Sequence, residues 1–240
     1  MGKQHRPYRA GRGSATVMHR DSEPPIQEAL SVVADALGRA AAAIPHEYVS
    51  LRVAGRARVP RERLYCYELY HQIRLALADG FRFSVGGEVD KRGHPVMHGP
   101  GITNTKPDLL IHRPGDMGGN LVIIEVKSVR VRHKRAIRKD LETLTAYRTF
   151  AEGGYHRAYY LFFGGSIHDV EAARDRCERI AAGDGPVPVR LDLIDLLWHC
   201  DHGEPLVCLP WQEAVSGGAR ERAEMLSLPE LERLRHERVA

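Results

Sequence analysis

The sequence predicts an α/β domain built on a mixed central β-sheet flanked by helices. Three observations carry this. Apolar residues recur at helical spacing in several long segments. Between them lie short runs rich in Val, Ile, Leu and aromatics, bounded by Gly, Pro, Asn and Asp, which read as strands. The composition, 43% hydrophobic and 28% charged over 240 residues, is that of a globular chain. The elements follow in the order α-α-β-β-β-α-β-α-β-β.

Residues 1–24 are rich in Gly and Arg, poor in large apolar residues, and run into Pro24-Pro25. They read as a flexible basic arm. A helix is expected over 26–44, from Ile26, Leu30, Val33, Leu37, Ala41 and Ile44. After a basic connector, a second helix is expected from Pro60 to Asp79, with Pro60 at its first position and Gly80 as its stop. Its apolar face is Cys66, Leu69, Tyr70, Ile73, Ala76 and Leu77. Residues 81–90 read as a strand and 91–104 as a long Gly/Pro/His loop. Two strong strands follow at 106–113 and 120–128, joined by the turn sequence PGDMGG. A helix over 133–152, a strand over 157–165, a helix over 167–182 and one or two strands within 187–199 and 204–211 complete a domain spanning 25–212. Residues 213–240 read as a linker and a terminal helix interrupted near Pro229.

No apolar run approaches the ~20 residues of a membrane span. The basic N-terminus lacks the apolar stretch of a secretory signal. Cys66, Cys177, Cys200 and Cys208 show neither a CxxC pair nor a disulfide-framework spacing, so a reducing, cytoplasmic setting is expected. The set His199, Cys200, His202 and Cys208 has metal-capable side chains without an established zinc spacing, and reads as core cysteines and loop histidines. The same holds for His94, His98 and His112.

The net charge is only +4, but the cations are clustered. Residues 1–20 hold five Lys or Arg and no acid. Residues 50–63 hold Arg52, Arg56, Arg58, Arg61 and Arg63 against Glu62 alone. Residues 130–139 hold Arg130, Arg132, Lys134, Arg135, Arg138 and Lys139 with no acid. One such cluster is an ordinary solvated face. Three in a nearly balanced chain point to a polyanionic partner. The third opens a helix, where cations oppose the macrodipole, so stability alone does not account for them.

The hairpin at 106–128 carries the chemistry. Pairing Arg113 with Asn120 places Asp108 opposite Glu125. Side chains alternate along a strand, so Glu125 and Lys127 point the same way, about 6.5–7 Å apart. Leu109, Ile111, Ile124 and Val126 point to the other face. Asp108, Glu125 and Lys127 thus share one patch on a strand that otherwise reads as buried. Two neighbouring carboxylates raise each other's pKa unless a cation lies between them, and a hard divalent ion resolves the conflict. On an exposed edge the three would form only weak surface ion pairs. The apolar density of LVIIEV argues against an edge.

Pro107-Asp108 and, after sixteen intervening residues, Glu125-Val126-Lys127 resemble the signature of the PD-(D/E)XK nuclease superfamily. The likeness covers about residues 60–165 and includes a restriction-endonuclease-like core in the order αβββαβ. It implies a Mg²⁺-dependent hydrolase of DNA phosphodiesters, with Mn²⁺ able to substitute, serving restriction-type or antiviral defence or repair. Asp108, Glu125 and the carbonyl of Val126 would hold the ion, and Lys127 would orient the attacking water or stabilise the transition state. Glu68, on the first core helix, is the candidate for a further acid, and Glu88 for an auxiliary metal ligand. Arg130, Arg132, Lys134, Arg135 and Lys139 would hold flanking phosphates, with Arg135 and Lys139 turned toward the site. A catalytically silent nucleic-acid-binding or scaffold subunit of a larger nuclease complex is the alternative. The N-terminal arm and the terminal helix are the expected places for a homodimer or partner contact.

Overall fold

The computed structural model describes residues 26–54, 57–88, 100–102, 105–115, 119–151, 153–212 and 225–237. The basic arm, His94, His98 and the expected linker at 213–219 lie outside the described residues. The chain forms an α/β fold with a seven-stranded mixed sheet between two layers of helices. The helices are α1 (Ile26–Ala43), α2 (His46–Val49), α3 (Glu62–Ala76), α4 (Lys134–Thr149), α5 (Ile167–Ala181) and α6 (Leu228–Glu237). The strands are β1 (Ser84–Gly87), β2 (Leu109–His112), β3 (Asn120–Ser128), β4 (Arg157–Phe163), β5 (Asp195–His199), β6 (Val207–Leu209) and β7 (Leu226–Ser227). They lie side by side in chain order. The β3–β4 and β4–β5 pairs are parallel and the other four antiparallel.

Both parallel connections run through a helix, α4 and then α5, as a crossover requires. Strand alternation sorts the core into two halves. Val122, Ile124, Val126, Tyr159, Leu161, Phe163 and Leu197 pack with α1, α3 and Leu228. Ile123, Ala158, Tyr160, Phe162, Leu196 and Trp198 pack with α4 and α5. Being covered on both faces explains why β3 and β4 read as unbroken apolar runs. Tyr65 of α3 stacks on Phe163 with ring centroids 4.2 Å apart, which fastens α3 to the C-terminal end of β4. Among the described residues no helix is long and apolar enough to cross a membrane.

Several boundaries differ from the sequence reading, each for a local reason. Val59 still pairs with Leu51 as an extended bridge, so Pro60 precedes α3 and Glu62 begins it. That helix stops at Ala76, and Gly80 serves the following turn with φ +85°. The strand expected over 106–113 is only Leu109–His112. Just before it, the Asp108 carboxylate, not a main-chain carbonyl, takes the N–H of Val126. A register shift between Ile111 and His112 pairs His112, not Arg113, with Asn120. Residues 191–193 form a 3₁₀ turn before β5. Pro229 does not interrupt the last helix. It lies in the first turn of α6, where a missing N–H costs no hydrogen bond.

The C-terminal segment belongs to the same body. β7 pairs with β6. From α6 the fully buried Glu232 accepts from Arg157 Nε at 2.8 Å and Arg235 Nη1 at 2.7 Å, and Arg235 reaches Asp195 at 2.6 Å. Burial alone would raise the Glu232 carboxyl, but the two guanidiniums hold it below the usual range.

His199, at the end of β5, is fully buried and shares a 3.0 Å hydrogen bond with the Tyr65 hydroxyl. Burial pushes its imidazole down to about 4. In the unfolded chain the ring takes a proton near pH 6.5, so folding loses stability as pH falls from about 6.5 toward 4. The full loss is roughly 3 kcal/mol. Urea midpoints measured between pH 7.5 and 4.5 should show this slope, and His199→Asn, which retains a partner for Tyr65, should remove it. An unchanged slope would assign the pH dependence to other groups.

Candidate active site

The site lies where β3, the strand leading into β2, and helices α3 and α4 meet. β3 places Ile123, Glu125 and Lys127 on the α4 side. The register Leu109↔Ile124, carried one residue further, sets Asp108 against Glu125. Asp108 Oδ2 accepts the Val126 N–H at 2.8 Å, which fixes that carboxylate against the strand. Lys127 Nζ donates to Glu62 Oε1 at 2.7 Å and to the Val126 carbonyl at 3.0 Å, and lies 3.4 Å from Asp140 Oδ2. The Tyr160 hydroxyl donates to the same Asp140 oxygen at 3.3 Å.

Four carboxyl groups therefore surround one amine. Glu125, Lys127 and Asp140 are all buried, where charge is poorly screened. Burial, then Asp140 and Asp108, push the Glu125 carboxyl well above the usual range against the pull of Lys127. Burial raises Asp140 to about 7, with Lys127 opposing. Burial likewise raises Glu62, again against Lys127. Burial would discharge Lys127, but Asp140, Asp108 and Glu62 outweigh it and keep the ammonium charged. The cluster holds a surplus of oxygen donors over cations.

Asp108, Glu125 and Lys127 come together as one group. The acid that α3 contributes is Glu62, not Glu68. Glu68 accepts from Gln72 Nε2 at 2.7 Å along its own helix. Glu62 and Cys66 are four residues apart on the site-facing side, and both line the cavity beside Asp108. Glu88 follows β1 with φ 46°, donates its N–H to the Asp108 carbonyl at 3.2 Å and meets Arg63 at 3.4 Å. It stands at the rim of the same cavity. The Val126 carbonyl is engaged by Lys127.

Arg130, Arg132, Lys134, Arg135 and Lys139 are exposed, and none forms an ion pair among the described residues. Arg135 and Lys139 do not turn inward as expected. Asp140, next along α4, takes that place, because it lies in line with Ile137 and Leu144 on the buried face. Arg130 borders a second cavity of about 240 Å³ with Ser128, Gly164, Gly165 and the His46–Asp201 pair. His202 Nδ1 donates to the Ile44 carbonyl oxygen at 2.9 Å, and Cys208 is buried in β6.

Comparison with protein-family models, with curated proteins and with solved structures finds no match. The site is therefore read on its own chemistry. Among the described residues no three His, Cys, Asp or Glu side chains form a ready-made metal-binding group. The Lys127 amine occupies the place between Glu62 and Asp140. A complete protein cage is not required, because Mg²⁺ commonly takes one or two carboxylates and fills its shell with water and phosphate oxygens. Asp108 and Glu125, hard oxygen donors facing each other, fit that demand.

Glu125 raises a test independent of any activity. A carboxyl whose charged form the fold disfavours costs stability as pH rises above about 4.5, where the unfolded chain releases its proton. At pH 7.5 without divalent ions, Glu125→Gln should raise stability by about 1 kcal/mol, the scale of relief seen at strained functional sites. Chemical denaturation reads this directly. A loss of similar size would show that the carboxyl stabilises the fold.

Proposed function

We propose that the protein is a divalent-metal-dependent nuclease of the PD-(D/E)XK kind, hydrolysing phosphodiester bonds of DNA. The observation that carries this is the convergence of Asp108, Glu125 and the charged Lys127 at the end of β3, with too few cations for the acids present. The run α3-β1-β2-β3-α4-β4 follows the αβββαβ order of that core and supports the same reading.

Asp108 and Glu125 would hold the ion, Mg²⁺ or Mn²⁺. When bound, it supplies a polarised phosphoryl oxygen and a water acidic enough to act as nucleophile near neutral pH. Asp108 is preset for this by the Val126 N–H, which fixes its carboxylate against the strand. Lys127 contributes a compact positive charge where negative charge grows on the phosphate, a role suited to ammonium. Glu62 and Asp140 keep that amine protonated and aimed. The five exposed cations from Arg130 to Lys139 begin three residues past Lys127, so they border the site and can hold flanking phosphates.

The test is cleavage of circular and linear DNA with Mg²⁺ or Mn²⁺. Asp108→Ala should reduce cleavage to background, and Lys127→Ala should lower kcat by about 10²–10³-fold, with the melting transition retained in both. Nicking or linearisation of the circle would identify an endonuclease. Cleavage that survives both substitutions would remove the site. DNA binding without cleavage under either ion would favour a silent scaffold subunit.

A further inference from the structure

We propose that the cavity between α3 and the β1–β2 ladder receives an unpaired nucleobase beside the bond that is cut. The substrate is then a strand that is single, frayed or mismatched at the cleavage point. This rests on the nuclease reading and adds the substrate class to it.

The cavity measures about 420 Å³, within the size range of small-ligand sites. Among its walls are Glu62, Tyr67, Tyr70, Gly87, Glu88 and Asp108. It therefore opens directly onto Asp108, an acid of the reacting centre. Tyr67 and Tyr70 are three residues apart on α3, so both rings lie along one side of the helix. Tyr67 is 59% exposed although it borders the cavity. The Tyr70 ring is backed by the Arg74 guanidinium, 5.8 Å from its centroid.

The opposite wall is open because position 87 has no side chain. A Cβ there would lie 3.7 Å from the Asp108 carbonyl oxygen and 3.8 Å from Tyr70 Cδ2. One carbon fits without a clash, and anything larger would project between the ring and the acid. Next to it, Glu88 adopts a left-handed φ of 46°, uncommon for a residue with a side chain. Its N–H bond to the Asp108 carbonyl accompanies that conformation.

The lining selects which part of a nucleic acid can enter. Among the described lining residues the carboxylates Glu62, Glu88 and Asp108 outnumber the single cation Arg63, which disfavours a phosphate. A nucleobase is uncharged, presents a flat π-face to tyrosine, and carries N–H groups that carboxylates accept. A base within a duplex is stacked and paired and cannot reach such a pocket without being extruded. Stacking on an aromatic side chain is tolerant of sequence, so the cavity selects unpaired structure ahead of sequence.

The experiment uses the full chain carrying Lys127→Ala, so that substrate persists, with Mg²⁺. The probes are an oligonucleotide containing 2-aminopurine as a single strand, in a mismatched duplex and in a fully paired duplex. The single strand and the mismatch should bind at least ten-fold more tightly than the paired duplex, with 2-aminopurine fluorescence quenched on stacking. Adding Tyr67→Ala or Gly87→Leu should weaken the single strand about ten-fold and restore the fluorescence. Gly87→Ala should bind as the parent does, and an unchanged melting temperature shows that the variants fold. Equal binding of all three probes, indifferent to Tyr67 and Gly87, overturns this proposal while Asp108-dependent cleavage leaves the nuclease reading standing. Failure of every oligonucleotide to bind, together with no cleavage by the chain that keeps Lys127, overturns both.

Discussion

The Lys127 ammonium, set among Glu62, Asp108, Glu125 and Asp140, is the interaction on which the candidate site depends. A central strand covered on both faces is a costly place for charge. One lysine is hydrogen-bonded to Glu62 and to its own neighbour's carbonyl, and burial works against the charged forms of Glu62, Glu125 and Asp140. Removing the amine would leave the acids uncompensated, and removing one acid would ease their repulsion. On the nuclease reading, that asymmetry is what a divalent ion would relieve. The cluster is poorly explained as a device for stability, because buried ion pairs seldom outperform apolar packing of the same volume.

The architecture accounts for how the cluster is tolerated. β3 pairs with β4 from Val122 to Ser128 and with β2 from Asn120 to Ile124, and past that point the Asp108 carboxylate takes the Val126 N–H. The apolar residues on the opposite face, Val122, Ile124 and Val126, join a core shared with α1 and α3. Farther along the sheet, α6 and β7 close the other edge through Glu232, Arg157 and Arg235. That ion network contrasts with the first. Its acid is matched by two guanidiniums and lies below the usual carboxylate range, as a structural pair should. The comparison separates a charge cluster that holds the fold from one that burdens it.

What the sequence revealed follows from which periodicities it encodes. Strand alternation is local, so Asp108, Glu125 and Lys127 could be put on one face from spacing alone. Glu62 and Asp140 were missed because they reach the site from helices, and how a helix rotates against a sheet is set by tertiary packing. Yet both left a trace. Glu62 prolongs the side of α3 that carries Cys66, and Asp140 sits among Ile137, Leu141 and Leu144 on α4. A charged residue inside an apolar stripe is the signal, and Glu68, off that stripe, was the wrong choice for the same reason. The hairpin register held through Ile111 and then slipped, because a bulge inserts a residue without altering the hydrophobic pattern up to that point.

Charge is also partitioned across the surface in a way that constrains any polyanionic substrate. The stretch from Arg130 to Lys139 offers exposed cations immediately beyond β3, whereas the cavity on the α3 side of Asp108 is walled by carboxylates. A nucleic acid approaching this molecule would lay its backbone on the first surface and be repelled from the second. On the nuclease reading, a phosphate crosses from one to the other only where a divalent ion offsets Asp108 and Glu125. On the nuclease reading, that boundary selects a single phosphodiester along a continuous strand: the one whose phosphate meets the ion while its uncharged neighbour turns toward the tyrosines.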